Sequence, residues 1–234
     1  MNSAPMMLDV AGRRIAYRLR DGGQPTLVFL PGYASDMEGA KALALWAFAE
    51  RRRLGMLRLD YSGTGSSGGK FEEGTLAAWL EEALAAIDQL SSGPLILVGS
   101  SMGAWIAFHL ALLRPERVRA LVGIAAAPDF TEWGFTPDQA AQLTDIGQIT
   151  RGFWESGQRL LLLDKPIAID CPVRLLHGEL DDDVPLEIAF RTMRALRSGD
   201  VQLNVLKGGG HRLSEPQEIE TILRTVAALL EPAP

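Results

Sequence analysis

The chain has 234 residues, of which 47% are hydrophobic, and a formal net charge of −6. This length and composition suit one α/β domain over residues 1–234 with a sizeable core, and the acidic balance argues against a nucleic-acid partner. The single cysteine, Cys171, excludes an internal disulfide, and no stretch approaches the roughly 18 apolar residues of a membrane-spanning helix. Residues 1–20 lack the apolar core of a signal peptide, so we expect a cytoplasmic protein.

Apolar runs bounded by turn residues alternate with segments of helical spacing along the chain. Residues 13–19 alternate polar and apolar side chains, which predicts an edge strand. Uninterrupted apolarity predicts buried strands at 26–30, 56–59, 95–98, 118–124, 173–176 and 201–206. Helical spacing predicts helices at 38–52, 75–90, 102–114, 186–196 and 216–230. Strands that alternate with helices predict a doubly wound, mostly parallel α/β sheet.

Residues 129–170 interrupt this alternation, because they carry no strand signal and are rich in aromatic side chains. We expect them to form a short helical cap over the edge where the parallel strands end, which is the edge where ligands bind in such folds. Trp133, Phe135, Phe153 and Trp154 are therefore candidates to line a substrate pocket. The alternative is that these aromatic side chains only pack the cap against the body.

The segment Gly99-Ser100-Ser101-Met102-Gly103 lies between a predicted strand and a predicted helix. A Gly-x-Ser-x-Gly in that context is the nucleophile elbow of a serine hydrolase, whose sharp turn strains the backbone of the central serine and exposes its hydroxyl. Gly99 and Gly103 are needed because a Cβ at either position would collide with the neighbouring strand or helix. Ser101 is the predicted nucleophile, and the alternative is an ordinary strand-to-helix turn.

A serine hydroxyl is a poor nucleophile and needs a base within hydrogen-bond reach, so the three histidines are the candidates. His109 lies eight residues past Ser101 on the same helix, roughly 12 Å along its axis, which is too far. His177 ends a predicted strand, where a structural role is expected. His211 follows three glycines directly after the last strand, and this flexible loop can bring its imidazole over the sheet. His211 is the predicted base.

The acid that orients the base should lie between Ser101 and His211 in the chain, as in other hydrolases with an elbow. The loop after His177 offers four carboxylates: Glu179, Asp181, Asp182 and Asp183. Only one of them is expected to face the imidazole, and the others are expected to be solvated loop charges.

The oxyanion of an acyl-transfer transition state needs two hydrogen-bond donors. One candidate is the backbone N–H of Met102, at the positive end of its helix. The other is the backbone N–H of Tyr33, in the loop that follows the strand at 26–30. This chemistry requires neither a metal nor a cofactor, and none is predicted.

Residues 63–68 match the Gly-x-Gly-x-x-Gly fingerprint of dinucleotide-binding proteins and are a competing motif. In that fingerprint the third glycine already lies in the helix that receives the pyrophosphate, whereas residues 69–74 separate Gly68 from any helical pattern here. Lys70 is followed by Phe71, so the pattern of a P-loop also fails. The sequence therefore argues against a nucleotide cofactor.

With these residues in view, the chain resembles the α/β-hydrolase fold superfamily from end to end. Residues 60–67 are similar to its Asp-x-x-Gly-x-Gly-x-Ser segment, and residues 177–185 are similar to its acid loop. In that loop the catalytic aspartate stands three residues before Val-Pro, which implies Asp181. The position agrees, because Asp181 is close to the strand end, whereas we expect the fixed φ of Pro185 to hold Asp183 away from His211.

A closer resemblance is to the α/β-hydrolase domain-containing 10 group, whose members include acyl-glucuronide esterases, palmitoyl-protein thioesterases and bacterial relatives. The similar stretches are residues 30–33, 41–44, 60–67, 97–103, 171–178 and 211–212. The resemblance implies a serine esterase or thioesterase that acts on a small-molecule or acylated substrate through an acyl-enzyme, and a bacterial cytoplasmic member of the group. The alternative from another class is a catalytically silent, ligand-binding protein on the same fold. Acyl length, leaving group and oligomeric state stay open, and residues 144–150 of the cap are shorter than expected of the group.

Overall fold

An eight-stranded sheet runs through residues 4–231, the part of the chain that the computed structural model describes. The strands are β1 (Met6–Val10), β2 (Arg13–Arg20), β3 (Gly23–Leu30), β4 (Leu54–Leu59), β5 (Leu95–Ser100), β6 (Val118–Ile124), β7 (Val173–Gly178) and β8 (Val201–Leu206). Their order across the sheet is β1-β2-β4-β3-β5-β6-β7-β8. The pairs β1–β2 and β2–β4 are antiparallel and every other pair is parallel, which confirms the predicted mostly parallel sheet.

Helices cover both faces of this sheet. They are α1 (Ala40–Arg52), α2 (Leu76–Leu90), α3 (Met102–Leu113), α4 (Phe130–Trp133), α5 (Pro137–Ala141), α6 (Arg151–Gln158), α7 (Leu186–Ala195) and α8 (Pro216–Ala228). Side chains of α2, α3 and α7 share one core, and side chains of α1 and α8 share the other. The central strands are therefore buried on both sides, which explains their uninterrupted apolar sequences. No helix within residues 4–231 is long and apolar enough to cross a bilayer.

The predicted edge strand at residues 13–19 is not at the edge. It is β2, and β1 pairs with its outer side in the register Val10↔Arg13. The two strands are joined by a tight turn in which Ala11 and Gly12 both have positive φ, at 52° and 82°, as in the turns that match the twist of a hairpin. The sequence did not reveal β1 because only Val10 of its five residues is buried, which leaves no apolar run to recognise.

The glycine-rich loop after β4 wraps around a buried carboxylate. Asp60 is 1% exposed and accepts hydrogen bonds from the backbone N–H groups of Met37, at 2.7 Å, and Ser66, at 2.8 Å. After Gly68 the chain passes through a 3₁₀ turn, Phe71–Glu73, and the next helix begins only at Leu76. The helix start that a dinucleotide site requires at the third glycine is therefore not formed.

Residues 129–170, the cap segment, hold α4, α5 and α6 and contribute no strand to the sheet. The two ends of the segment are tied together, because the buried carboxylate of Asp129 accepts the N–H groups of Leu162, at 2.9 Å, and Leu163, at 2.7 Å. Trp105 on α3 donates its indole N–H to the carbonyl of Leu160 at 3.0 Å. The cap segment thus leaves the body and returns to it beside α3, at the edge where the parallel strands end.

Candidate active site

Ser101 occupies the turn between β5 and α3 with a strained backbone, at φ 53° and ψ −120°. A Cβ added to Gly103 would lie 2.1 Å from the carbonyl oxygen of Leu30, and one added to Gly99 would lie 2.5 Å from the backbone of Ala104. Both glycines are therefore required by close backbone contacts on the two sides of the turn. Such strain at a strand-to-helix turn is the geometry of a nucleophile elbow.

His211 joins Ser101 to Asp181 through hydrogen bonds. The Oγ of Ser101 lies 3.1 Å from Nε2 of His211, and Nδ1 of His211 lies 2.9 Å from Oδ2 of Asp181. Because a carboxylate only accepts, Nδ1 carries the ring proton and Nε2 is free to accept the hydroxyl proton of Ser101. The imidazole side chain is 21% exposed and that of Asp181 is 1% exposed, so the nitrogen that faces Ser101 borders the cavity while the carboxylate is shielded from water.

The Asp181 carboxylate is held by its own loop as well as by His211. Its Oδ1 accepts the N–H groups of Asp183, at 3.0 Å, and Val184, at 2.8 Å. Burial by itself raises the pKa of Asp181, but the hydrogen bonds from His211 and Val184, together with the electrostatic attraction of the nearby imidazoles, outweigh burial and lower the pKa overall. The carboxylate is therefore ionised at neutral pH and can orient the imidazole.

The acid loop, residues 178–184, and the base loop, residues 207–211, are joined along their backbones. The N–H of Leu180 donates to the carbonyl of Gly209 at 2.8 Å. Glu179 donates its N–H to Leu206 at 2.9 Å, and its carboxylate accepts the N–H of Gly208 at 3.0 Å. A Cβ on Gly178 would lie 2.3 Å from the carbonyl oxygen of Gly209, so the two loops meet at van der Waals contact. Glu179 thus has a structural role that the sequence analysis missed.

Asp183 is nearer to the base than the sequence predicted. Its exposed carboxylate lines the same cavity as Ser101 and lies within 4.8 Å of a ring nitrogen of His211. The expectation that Pro185 holds it away is wrong, because the turn closed by the Asp183 N–H and the carboxylate of Asp181 brings residue 183 back toward the sheet. Asp181, Asp183 and His211 could together present three ligand atoms to a metal, but two of them already bond each other.

His109 and His177 both point away from Ser101. Nε2 of His109 lies 2.9 Å from the carbonyl of Leu160, and burial lowers the pKa of this imidazole. His109 is therefore an anchor for the end of the cap segment. His177 is buried at the end of β7, with Nε2 2.9 Å from the carbonyl of Val184 in the acid loop.

A cavity of about 860 Å³ opens beside Ser101 and His211, within the roughly 300–1,000 Å³ of most ligand sites. Trp133 and Phe135 of the cap segment line it, as expected. Phe130 and Ile149 line it too, although the sequence analysis did not single them out. Both residues could have been recognised from the sequence, because they lie in the same aromatic-rich segment, residues 129–170.

Phe153 and Trp154 are not part of the cavity wall. Phe153 is 1% exposed and its ring centroid lies 4.8 Å from that of Tyr33 and 5.6 Å from that of Phe130. Trp154 donates its indole N–H to the carbonyl of Thr131 at 2.8 Å. The side chains of α6 therefore hold the cap segment together and to the body, which is the alternative that the sequence left open.

Tyr33 links the loop after β3 to the cap segment. Tyr33 lines the same cavity as Ser101, and its ring packs against Phe71, Trp79, Phe130 and Phe153 with centroids 4.8–6.1 Å away. Its hydroxyl donates a hydrogen bond to the carbonyl of Gln148, and burial raises the pKa of Tyr33. Met102 is the buried first residue of α3, where free N–H groups point toward the helix start. Both predicted oxyanion donors thus belong to segments that adjoin Ser101.

Known proteins are similar to this chain in sequence and in fold. Residues 25–148 match the family model of the alpha/beta hydrolase fold. Human palmitoyl-protein thioesterase ABHD10, mitochondrial, is 36% identical over 93% of this chain and 76% of its own length. This chain belongs to the α/β-hydrolase fold family. The predicted resemblance to the domain-containing 10 group is thereby confirmed.

Solved structures of this α/β-hydrolase's relatives agree over nearly the whole chain. Mouse α/β hydrolase domain-containing protein 10 is 33% identical, with a TM-score of 0.88 over 97% of this chain and 98% of its own. A putative hydrolase from Agrobacterium vitis S4 is 36% identical, with the same TM-score and the same coverage. Est1E from Butyrivibrio proteoclasticus, 21% identical with a TM-score of 0.83, shares the fold. The predicted fold class is confirmed, and so is the predicted enzyme class of hydrolase.

Proposed function

We propose that this hydrolase cleaves carboxylic esters or thioesters through an acyl-enzyme on Ser101, with His211 as the base and Asp181 as the acid. The observation that carries the proposal is the unbroken hydrogen-bonded path from Ser101 Oγ to His211, at 3.1 Å, and from His211 to Asp181, at 2.9 Å. Such a path converts an ordinary hydroxyl into a nucleophile, because the imidazole accepts its proton and the carboxylate stabilises the imidazolium.

The reaction has two halves that use the same groups. Ser101 Oγ attacks the acyl carbon while Nε2 of His211 takes its proton, and the imidazolium then donates that proton to the departing alcohol or thiol. A water molecule deprotonated by His211 next attacks the acyl-enzyme and releases the acid and free Ser101. In both halves the N–H groups of Tyr33 and Met102 are the proposed donors to the oxyanion, each contributing about 3 kcal/mol in the transition state.

The lining of the cavity supports an acylated substrate. Besides residues of α1 and the acid loop, it includes an apolar set from the cap segment and a polar set from the loops after β3 and β8. The apolar set comprises Phe130, Trp133, Phe135 and Ile149, and the polar set comprises Ser35, Asp36, Arg212 and Ser214. We assign the acyl chain to the apolar set and the leaving group to the polar set, because apolar surface gains most from burial. The name of the ABHD10 relatives, palmitoyl-protein thioesterase, supports a thioester with a long acyl chain.

A fluorophosphonate probe and a substrate panel test the proposal. Wild type is expected to label on one serine and to hydrolyse p-nitrophenyl esters and acyl thioesters of graded chain length. Ser101→Ala should abolish labelling and lower kcat by roughly 10⁴ or more, whereas Ser100→Ala should lose far less. A wild type that binds these substrates without labelling or turnover would instead be the catalytically silent protein, and a labelled Ser101→Ala would remove the nucleophile assignment.

Phe135→Ala and Trp154→Ala form a matched pair that tests the acyl assignment. Loss of a cavity-lining ring should lower kcat/KM on long acyl chains by about tenfold relative to acetyl esters. Loss of Trp154, which lies outside the cavity wall, should lower the melting temperature and leave the chain-length profile unchanged. An unchanged profile in both variants would place the acyl chain elsewhere.

The cytoplasmic, bacterial location expected from the sequence stays a proposal, and immunogold labelling or fractionation of the source cells would test it.

A further inference from the structure

His177 lies beside the carboxylate of Asp181, which also bonds His211. It is 1% exposed, at the end of β7, and its Nε2 lies 3.6 Å from Oδ2 of Asp181. Among the described side chains, its Nδ1 is buried without a hydrogen-bond partner. Because the partner of Nε2 is the carbonyl of Val184, at 2.9 Å, and a carbonyl only accepts, the ring proton is on Nε2.

Val184 is connected to both members of this pair. Its carbonyl accepts the Nε2–H of His177 at 2.9 Å, while its N–H donates to Oδ1 of Asp181 at 2.8 Å. The positive edge of the same imidazole faces Oδ2, which has His211 as its hydrogen-bond donor. One buried ring therefore restrains the acid loop and supplies a fixed dipole to the carboxylate, in a site from which water is largely excluded.

We propose that His177 is a positioning residue for the hydrolysis proposed above: its Nε2–H holds the acid loop so that the Asp181 carboxylate meets Nδ1 of His211 at bonding distance. It touches neither substrate nor Ser101 and acts through Asp181. The sequence predicts only a structural role for His177, at the end of a strand. In this proposal the Nε2–H of His177, and not only the size of its ring, is required to hold Asp181 in position.

Two amide substitutions of His177 distinguish the effect of its Nε2–H donor from the effect of the size of its side chain. The side-chain nitrogen of glutamine reaches the place of a histidine Nε2, whereas that of asparagine reaches only the place of Nδ1. We expect His177→Gln to stay close to wild type, and His177→Asn to lower kcat by about 10- to 100-fold, as a misplaced catalytic group does, with KM unchanged. His177→Phe, which keeps a ring but lacks the donor, should behave like His177→Asn. Equal kcat values for all three variants would overturn the proposal.

A double-mutant cycle distinguishes positioning from a general loss of stability. In an Asp181→Asn background the carboxylate is already gone, so His177→Asn should lower kcat no further. An equal loss in both backgrounds would mean that His177 acts on the fold and not through Asp181, and the proposal would fail. Rates are expressed per serine titrated by the fluorophosphonate, so that only folded, reactive molecules are counted.

The same measurements distinguish a failure of the positioning role of His177 from a failure of the proposed hydrolysis, on which that role rests. A wild type that neither labels nor turns over substrate refutes the proposed hydrolysis. An active wild type with an equally active His177→Asn refutes the positioning role and leaves the hydrolysis intact.

Discussion

Asp60 and Asp181 are buried carboxylates on either side of β5, the strand that leads to Ser101. Asp60 directly follows β4, and Asp181 lies in the loop that follows β7. In the sheet, β4 and β7 each lie two strands away from β5. Each side chain is 1% exposed, and each accepts two backbone N–H groups. The two carboxylates are therefore alike in their burial and in their backbone hydrogen bonds.

The pKa values of the two carboxylates shift in opposite directions, because different groups surround them. For Asp60, burial raises the pKa, the N–H groups of Ser66 and Met37 only partly oppose this, and the carboxylates of Asp36 and Glu38 raise it further. For Asp181, the bond to His211 and the N–H of Val184 reverse the effect of burial, and the pKa is lowered. A buried carboxylate that only accepts backbone N–H groups therefore has a raised pKa, whereas one that also faces an imidazole has a lowered pKa, as the proposed acid requires.

Neutralising each carboxylate in turn should have very different effects at the two sites. Asp181→Asn should reduce kcat by up to about 10⁴ with little change in KM, because an amide stabilises the wrong imidazole tautomer. Asp60→Asn should leave kcat per folded molecule unchanged and reduce stability by about 1–3 kcal/mol, because its amide NH₂ would meet a backbone N–H. Steady-state kinetics and urea unfolding of both variants measure this, and a catalytic loss from Asp60→Asn equal to that of Asp181→Asn would remove the distinction.

Asp183 extends the comparison, because it is a second carboxylate near His211 but has no hydrogen bond to Nδ1. Asp183→Asn should stay within about tenfold of wild type, since the removal of an exposed loop charge costs little. Asp182→Asn, in the same turn, is the matched control and should change kcat less. If Asp183→Asn is crippling and Asp181→Asn is mild, the acid is Asp183, and the pairing of Ser101 with His211 survives.

The smallest expected effect is the pH dependence of stability, which should have opposite signs at the two sites. Asp181 has a lowered pKa in the folded protein, so its stabilisation is present above the unfolded value of about 3.9 and is lost as the pH falls through the folded pKa. Asp60 has a raised pKa, so its contribution is greatest below about 3.9 and is lost as the pH rises through the folded value. Urea unfolding of wild type and the two asparagine variants across this range measures the slopes. Slopes of the same sign would contradict the contrast between the sites.

Much of the site was predictable because its signals are local. The strained turn at Ser101 depends on five consecutive residues between a strand and a helix, and its glycines are explained by contacts with adjoining segments. His211 was recognisable as the candidate base from its place after the last strand and three glycines. The buried strands were recognisable because a parallel sheet covered on both faces requires uninterrupted apolar runs.

The sequence by itself thus determined the sheet, the elbow and the candidate residues of the triad, since periodicity and turn chemistry are properties of neighbouring residues. The orientation of the side chains around the site depends on contacts between segments that are distant in the sequence, which no local pattern specifies. Asp183 lines the cavity, Phe153 and Trp154 do not, and His177 lies beside Asp181. The exposed strand β1 belongs with them, because an edge strand that buries one residue is defined by its hydrogen bonds to β2 and not by its own composition.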